Sequence, residues 1–324
     1  MLAHNLYIVR DFLSFFELFL QDYELTLQTK NMIASIKKWF YAIRPYSFPV
    51  SMATVIMPTA IAFSEGDIKW LPALLCLLFA LLAQTTSNLV NDYADFKTGS
   101  DNENSLGKDR KLVSGEITTK QMLVAITISA TLCFLVGLPL MFWGGWILLP
   151  FGLLILAAAF CYSLGPIPLS YKALGDVAVI LFFGIVPVTF TYFILTKNIT
   201  PEIITAGFAM GIVVDELLIV NNIRDAEEDK LHNKITTVGL LGKEFMMKVF
   251  LFNPLIACAL GFYFLRNVCD YIVWMILIIP MIIYSINLYR KLRKYEGKQL
   301  NALLGKASFE AIIFAAIVVV ATCF

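Results

Sequence analysis

Residues 70–90 (WLPALLCLLFALLAQTTSNLV) contain no charged side chain. No other feature restricts the possible folds as strongly. About 20 mostly apolar residues in a helix cross the hydrocarbon core of a bilayer, where every backbone N–H and C=O must find its partner inside the protein. Eight more stretches are mostly apolar, giving candidate spans at 47–64, 70–90, 121–140, 143–161, 174–195, 202–221, 246–265, 271–289 and 308–323. A membrane β-barrel would show short segments of alternating polarity instead. The expected fold is therefore all-α, a multi-span membrane helix bundle with nine transmembrane helices. Pro58, Pro187, Gly211 and Pro280 lie inside these spans, which helices packed against neighbours tolerate. Charged residues make up 15% of the chain, against about 25% in soluble domains, and mean hydropathy is +0.77.

The basic residues set the orientation. Of the 25 Lys and Arg, all but Lys69, Lys197 and Arg266 lie before the first span, in the loops that follow even-numbered spans or, for Lys248, at the margin of such a loop. The positive-inside rule puts those segments in the cytoplasm, so the chain is expected in a bacterial-type inner membrane. Residues 1–35 mix Phe and Leu with acidic and basic residues at helical spacing, as an N-terminal amphipathic extension that can lie on a membrane surface. The helical bundle is expected over 36–324. Met32 opens a plausible chain by itself (MIASIKKWFYAIRP), so residues 1–31 are expected to be dispensable or to come from an upstream start. A net charge of +1 gives no sign of a nucleic-acid partner, and no obligate protein partner is implied. The six Cys form no CxxC pair and there are two His. Any metal must therefore be a hard one held by oxygen.

Charge returns abruptly in two places. NDYADFKTGSD (91–101) follows the second span and NNIRDAEED (221–229) follows the sixth. On a helix continuing out of the membrane, Asn88 and Asp92 share a face, as do Asn91 and Asp95. Asn222, Asp225 and Asp229 form a second stripe at i, i+3 and i+7. Four spans separate the clusters, so both emerge on the same side. Two carboxylate stripes converging in a poorly solvated place would repel each other, and a cation must compensate. Mg²⁺ suits the role when a diphosphate is also present, because it takes a few carboxylates together with phosphate oxygens. There is no Gly-rich P-loop, so a nucleotide is not implied. Basic residues stand close by: Lys108, Arg110 and Lys111 after the first cluster, Arg224 and Lys234 within and after the second. Asp215 lies inside the sixth span, seven residues before Asn222. An ionisable group there is a functional candidate, able to orient a second substrate.

These two motifs resemble those of the UbiA superfamily of intramembrane aromatic prenyltransferases, over most of the chain from about Ala42 onward. The resemblance implies nine transmembrane helices, with Asp-rich motifs after helices 2 and 6 enclosing a Mg²⁺–diphosphate site. The usual first motif is NDxxDxxxD. Asn91, Asp92 and Asp95 match it, Gly99 takes the place of the last Asp, and Asp101 two residues on is the substitute. AIRPYSF (42–48), NLVNDYADFKTGSD (88–101), YSLGPIPLSYKALGDV (162–177) and NNIRDAEEDKLHNKITTVGLLG (221–242) are most similar to the branch that prenylates 1,4-dihydroxy-2-naphthoate.

Carried over, the resemblance implies Mg²⁺ held by Asp92, Asp95, Asp225 and Asp229, with Asn91, Asn222 and Asp101 assisting. It implies diphosphate bound by Arg110, Lys111, Arg224 and Lys234. Related members often carry a Lys directly before the motif's Gly. Thr98 stands there in this chain, which leaves Lys97 as the candidate. Tyr162, Tyr171 and Lys172 fall in the loop that caps the site, and Asp176 follows. The implied substrates are a polyprenyl diphosphate, whose tail stays in membrane lipid, and an aromatic acceptor. Other readings are a different acceptor (4-hydroxybenzoate, homogentisate, haem or a glycerol phosphate lipid), a cation transporter using the two Asp stripes, or a non-catalytic scaffold.

Overall fold

The computed structural model describes residues 34–66, 69–101, 105–106, 110–164 and 168–324. The expectations for residues 1–31 and for Lys108 lie outside them. Ten helices organise the fold: α1 (34–42), α2 (Pro45–Ser64), α3 (Trp70–Thr98), α4 (Thr119–Gly144), α5 (Leu148–Cys161), α6 (Gly175–Thr196), α7 (Pro201–Leu231), α8 (Lys243–Phe264), α9 (Tyr271–Lys294) and α10 (Gly297–Ala321). Among the described residues, eight are long and apolar enough to cross a membrane.

The fourth expected span, 143–161, is α5, only 14 residues long. At 1.5 Å per residue it covers about 21 Å, short of a ~30 Å core. Its start is delayed because Gly145 turns the chain with φ 82°. The apolar register seen in the sequence is therefore interrupted for three residues before a helix can form.

Other helix ends follow local chemistry. Thr118 and Gln121 form a reciprocal capping box at the start of α4, satisfying two of the N–H groups that a helix start leaves unpaired. Thr200 caps α7 ahead of Pro201, and Asp270 caps α9. Pro280 lacks an N–H, and α9 breaks at Ile278 just before it. α6 is interrupted by a π-turn at Leu181–Ile185.

The bundle is built around α7, its most buried span, which packs against α8, α10 and α6. The contact with α6 is backbone to backbone. A Cβ on Gly184 would overlap Gly211 Cα and lie 2.6 Å from the Gly207 carbonyl oxygen. Glycine is needed there for the helices to touch. Two wholly buried glutamates, Glu216 on α7 and Glu310 on α10, stand in this interior, with Ser285 Oγ donating to Glu310. α3 pairs with α4 on one flank, and α2 is clasped by α10, α6 and α3. This arrangement sets the last turns of α3 and α7 side by side at one end of the bundle.

Candidate active site

The last three turns of α3 carry Asn88, Asn91, Asp92 and Asp95. Asn88 Nδ2 donates to the Ile43 carbonyl at 2.8 Å and to Ser47 Oγ at 3.0 Å, tying α3 to the corner between α1 and α2. Arg44 occupies that corner in the left-handed region, φ 54°. Its guanidinium donates to Asn91 Oδ1 at 3.0 Å and to Asp92. Burial disfavours the Arg44 cation, but Asp92 foremost and Asp101 and Asp95 around it outweigh that and hold its proton more tightly.

Gly99 ends α3 in the left-handed conformation, φ 76°. The reversal carries the chain back so that Asp101 N–H donates to the Asp95 carbonyl at 3.1 Å. Asp101 thereby joins the stripe it follows in sequence. Arg110 bridges them, with Nη1 2.6 Å from Asp92 Oδ1 and Nε 3.0 Å from Asp101 Oδ2. Burial, with Asp95 beside it, pushes the Asp101 carboxyl well above the usual carboxylate range.

From α7, Arg224 grips Asp225 with a fork, Nε to Oδ1 and Nη2 to Oδ2, both at 2.6 Å. Its remaining arm donates to Asn301 Oδ1 at 2.8 Å. Lys234 pairs with Asp229 at 3.0 Å and lies over the Tyr171 ring. Burial works against the Lys234 ammonium, but Asp229 and Asp95 raise its hold on the proton overall. The segment carrying Lys234 is pinned to the Tyr171 loop by Ala173 N–H to the Ile235 carbonyl, 2.7 Å. Tyr171 Oη in turn meets Ser100 Oγ at 2.7 Å. The loop before α6 thus closes over both motifs.

Asn91, Asp95, Asn222, Asp225, Arg44, Arg110, Arg224 and Lys234 line one cavity of about 160 Å³. The two motifs, four spans apart, therefore meet. An apolar groove between α3, α5 and α6 adjoins this cavity, and Ser87, Tyr162 and Phe183 line both.

Not every residue expected at the site is brought to it. Lys97 is exposed, above the Tyr93 ring, and Lys172 is exposed on the outer side of the cap. Lys111 is buried but pairs with Glu116 at 2.7 Å and covers the Tyr41 ring. Asp215 is 3% exposed inside the bundle, beside the α7 residues that line the cavity and not among them. Conversely, Arg44, Ser170 and Asp176 line the cavity and were not singled out as site residues from the sequence. Arg44 had one visible sign, a cation fixed before Pro45 at the entrance to the first span.

Among the described residues, no three acidic, His or Cys side chains already cluster as a metal site. Asp92, Asp225 and Asp229 are each paired with a cation of the chain. Asp229 nonetheless keeps a buried oxygen, Oδ2, without a hydrogen-bond partner. The donors from both helices are carboxylate and amide oxygens, the ligand set of a hard divalent cation.

The profile of the UbiA prenyltransferase family matches residues 51–320. The 1,4-dihydroxy-2-naphthoate octaprenyltransferase of Escherichia coli (strain K12) is 35% identical over 221 residues, 66% of this chain and 72% of that protein. Its namesake in Bacillus subtilis (strain 168) is 31% identical over 199 residues, 61% of this chain and 64% of that protein. In fold, the chain is similar to a UbiA homolog from Archaeoglobus fulgidus solved bound to GPP and Mg²⁺. That match has a TM-score of 0.60 at 17% identity and covers 89% of this chain and all of that one. A UbiA homolog from Aeropyrum pernix K1, in its apo structure, gives a TM-score of 0.64 at 16% identity over 86% of this chain and 98% of that one. With the matched family profile spanning most of its length, this chain belongs to the UbiA prenyltransferase family and is an integral membrane prenyltransferase.

Proposed function

We propose that the protein transfers a polyprenyl group from polyprenyl diphosphate to 1,4-dihydroxy-2-naphthoate, with loss of CO₂, to give demethylmenaquinol, the hydroquinone that a separate oxidation converts to demethylmenaquinone. The observation that carries this reading is one cavity with two parts. Carboxylates from α3 and α7 meet there with Arg44, Arg110, Arg224 and Lys234, and the space adjoins an apolar groove through Ser87, Tyr162 and Phe183. A molecule with an anionic head and a hydrocarbon tail is divided in the same way. The naphthoate prenylation for which the relatives are named supports this choice of acceptor.

The residues take the following roles. Arg110, Arg224 and Lys234 bind diphosphate oxygens, the two arginines through planar forks. Asp92, Asp95, Asp225 and Asp229, helped by Asn91, Asn222 and Asp101, hold Mg²⁺, the ion bound in the Archaeoglobus homolog. When bound, Mg²⁺ neutralises charge that builds on the departing diphosphate. The C1–O bond of the allylic diphosphate breaks with its electron pair leaving on oxygen. C1 then bonds to the ring carbon that bears the carboxylate. That carboxylate leaves as CO₂ and returns its electron pair to the ring. Tyr162 and Phe183 stand where C1 would lie between head and tail. Their faces favour a carbocation-like centre without reacting with it, and the closed cap excludes water. Lys97, Lys111 and Lys172 act outside this chemistry, as membrane-side charge. We place the cavity on the cytoplasmic side, from the distribution of basic residues.

The test uses purified protein with Mg²⁺, a polyprenyl diphosphate and 1,4-dihydroxy-2-naphthoate, with mass analysis for CO₂ and for demethylmenaquinol, or the demethylmenaquinone that air oxidation makes from it. Parallel reactions use 4-hydroxybenzoate, homogentisate, haem and glycerol phosphate lipid. Turnover of one of these in place of the naphthoate reassigns the acceptor. No transfer to any of them refutes the reading.

A further inference from the structure

Two buried polar atoms belong to residues that line the cavity yet have no partner in the protein: Ser170 Oγ and Asp176 Oδ1. Both side chains are more than nine-tenths buried. An unsatisfied buried group of this kind costs about 1–3 kcal/mol, so its persistence in a cavity points to a ligand that completes it. The other Asp176 oxygen is already fixed, because Thr237 Oγ1 donates to Oδ2 at 2.8 Å. That bond sets the orientation of the carboxylate and leaves one oxygen to spare.

The surroundings select the ligand. A Cβ placed on Gly175 would stand 3.4 Å from Tyr162 Oη and 4.0 Å from Ser170 Cα. The start of α6, the cap loop and the Tyr162 hydroxyl thus converge at the neck between the polar cavity and the apolar groove. The subsite already holds the carboxylate of Asp176. A second anion is therefore unwelcome here, and the diphosphate is drawn to the arginines instead. A neutral donor meets no such objection. One accepting oxygen and one hydroxyl that both donates and accepts, lining the same cavity, match a phenolic O–H, which donates to the first and accepts from the second.

We infer that Ser170 and Asp176 form a recognition subsite for a ring hydroxyl of the aromatic acceptor, and so fix which hydroxylated rings the enzyme takes. This rests on the prenyl-transfer reading and adds to it a specificity-determining pair.

The experiment compares two acceptors, 1,4-dihydroxy-2-naphthoate and 1-hydroxy-2-naphthoate, which lacks one ring hydroxyl. Purified wild type, Asp176→Asn and Ser170→Ala are assayed with Mg²⁺ and one labelled prenyl diphosphate. Asparagine can still accept from Thr237 through its oxygen, but it then offers N–H where the carboxylate offered an acceptor. Wild type is expected to favour the dihydroxy acceptor in kcat/KM by about 10- to 100-fold, the range for a hydrogen bond to a charged group. Each variant should bring that ratio to within a few-fold of one while leaving KM for the prenyl diphosphate unchanged. A merely structural role would lower both rates alike and leave the ratio intact. An unchanged ratio in both variants, or a wild type that does not discriminate, overturns the subsite alone. Absence of transfer by wild type to either acceptor overturns the prenyl-transfer reading, and the subsite with it.

Discussion

Replacing Asp101 and Gly99, singly and together, tests whether the first motif is complete in this chain despite its missing Asp. Gly99 stands at the motif's last position with φ 76° and ends α3, and the chain it reverses delivers Asp101 to Arg110. A side chain at 99 would meet nothing within 4 Å, so Gly99→Asp costs only the left-handed backbone, about 1–2 kcal/mol. That corresponds to a fall of about 2–6 °C in melting temperature in detergent. It should leave transfer no faster than wild type. Asp101→Asn removes a charged oxygen donor, worth about 1.5–3 kcal/mol, and should raise half-saturating Mg²⁺ by about 10-fold or more. The double variant should not recover.

The pH dependence has a defined sign. Burial raises the Asp101 pKa to about 8. Proton and cation compete for that carboxylate between the ordinary carboxylate range and about pH 8, so Mg²⁺ affinity rises with pH across this window. Asp101→Asn should remove that part of the slope. In the metal-free protein the sign for stability is opposite. The unfolded chain ionises Asp101 more readily, so this residue's contribution falls as pH climbs through the same interval. Wild-type Mg²⁺ half-saturation in Asp101→Asn, or full rescue by Gly99→Asp, would show that position 101 is not the substitute.

Three further outcomes follow from the geometry. Arg224→Lys keeps the charge but loses the two-pronged grip on Asp225 and the bond to Asn301, and should lower kcat/KM by about 10-fold or more; steady-state kinetics over prenyl diphosphate concentration will show it. Lys97→Ala and Lys172→Ala, on exposed residues outside the cavity, should each stay within about fivefold of wild-type kcat/KM, since an exposed charge is worth at most about 1 kcal/mol. Gly184→Ala forces a methyl into the α7 backbone and should destabilise by about 1–3 kcal/mol or more, read as a lower detergent melting temperature with proportionate loss of folded yield.

What the sequence made legible was whatever depends on period and parity. Spans of membrane length, the side on which each loop emerges, and the i, i+3, i+4 and i+7 stripes all follow from helix geometry, and the two motifs meet as that geometry requires. The shortness of α5 was hidden, because hydropathy through 143–161 is continuous and only the backbone at Gly145 breaks it. Which basic residues reach the cavity was hidden too. Lys97, Lys111 and Arg110 are close in sequence, but only Arg110 is turned inward, by a loop with no helical periodicity to read. Arg44 was obscured by the company it keeps, since any Arg before a first span is adequately explained by topology. Glu216 and Glu310 stood in spans where charge is unexpected, yet their facing positions come from the packing of α7 on α10, which no local pattern encodes.

The paired state of the site leads to a last prediction. Asp92 is held by Arg44 and Arg110, Asp225 by Arg224, and Asp229 by Lys234. A divalent cation arriving alone must displace these buried cations, and a diphosphate arriving alone must detach them from their carboxylates. Breaking one partner away from a buried pair costs about 3–5 kcal/mol, so each ligand alone meets a barrier to occupancy. Arriving together, the diphosphate accepts the arginines and lysine as the carboxylates turn to the metal, and no buried charge is left without a partner. Binding must then be mutually reinforcing, with the same factor in both directions. Melting of the purified protein should rise little with millimolar Mg²⁺ or with inorganic diphosphate alone. With both it should rise by clearly more than the two shifts added, and Arg110→Gln should shrink that excess. The Mg²⁺–diphosphate complex also forms in solution, so the comparison is made at matched free concentrations of each species. Purely additive shifts under those conditions would mean that the ion pairs seen here do not guard the site, and that Mg²⁺ and diphosphate bind without exchanging partners.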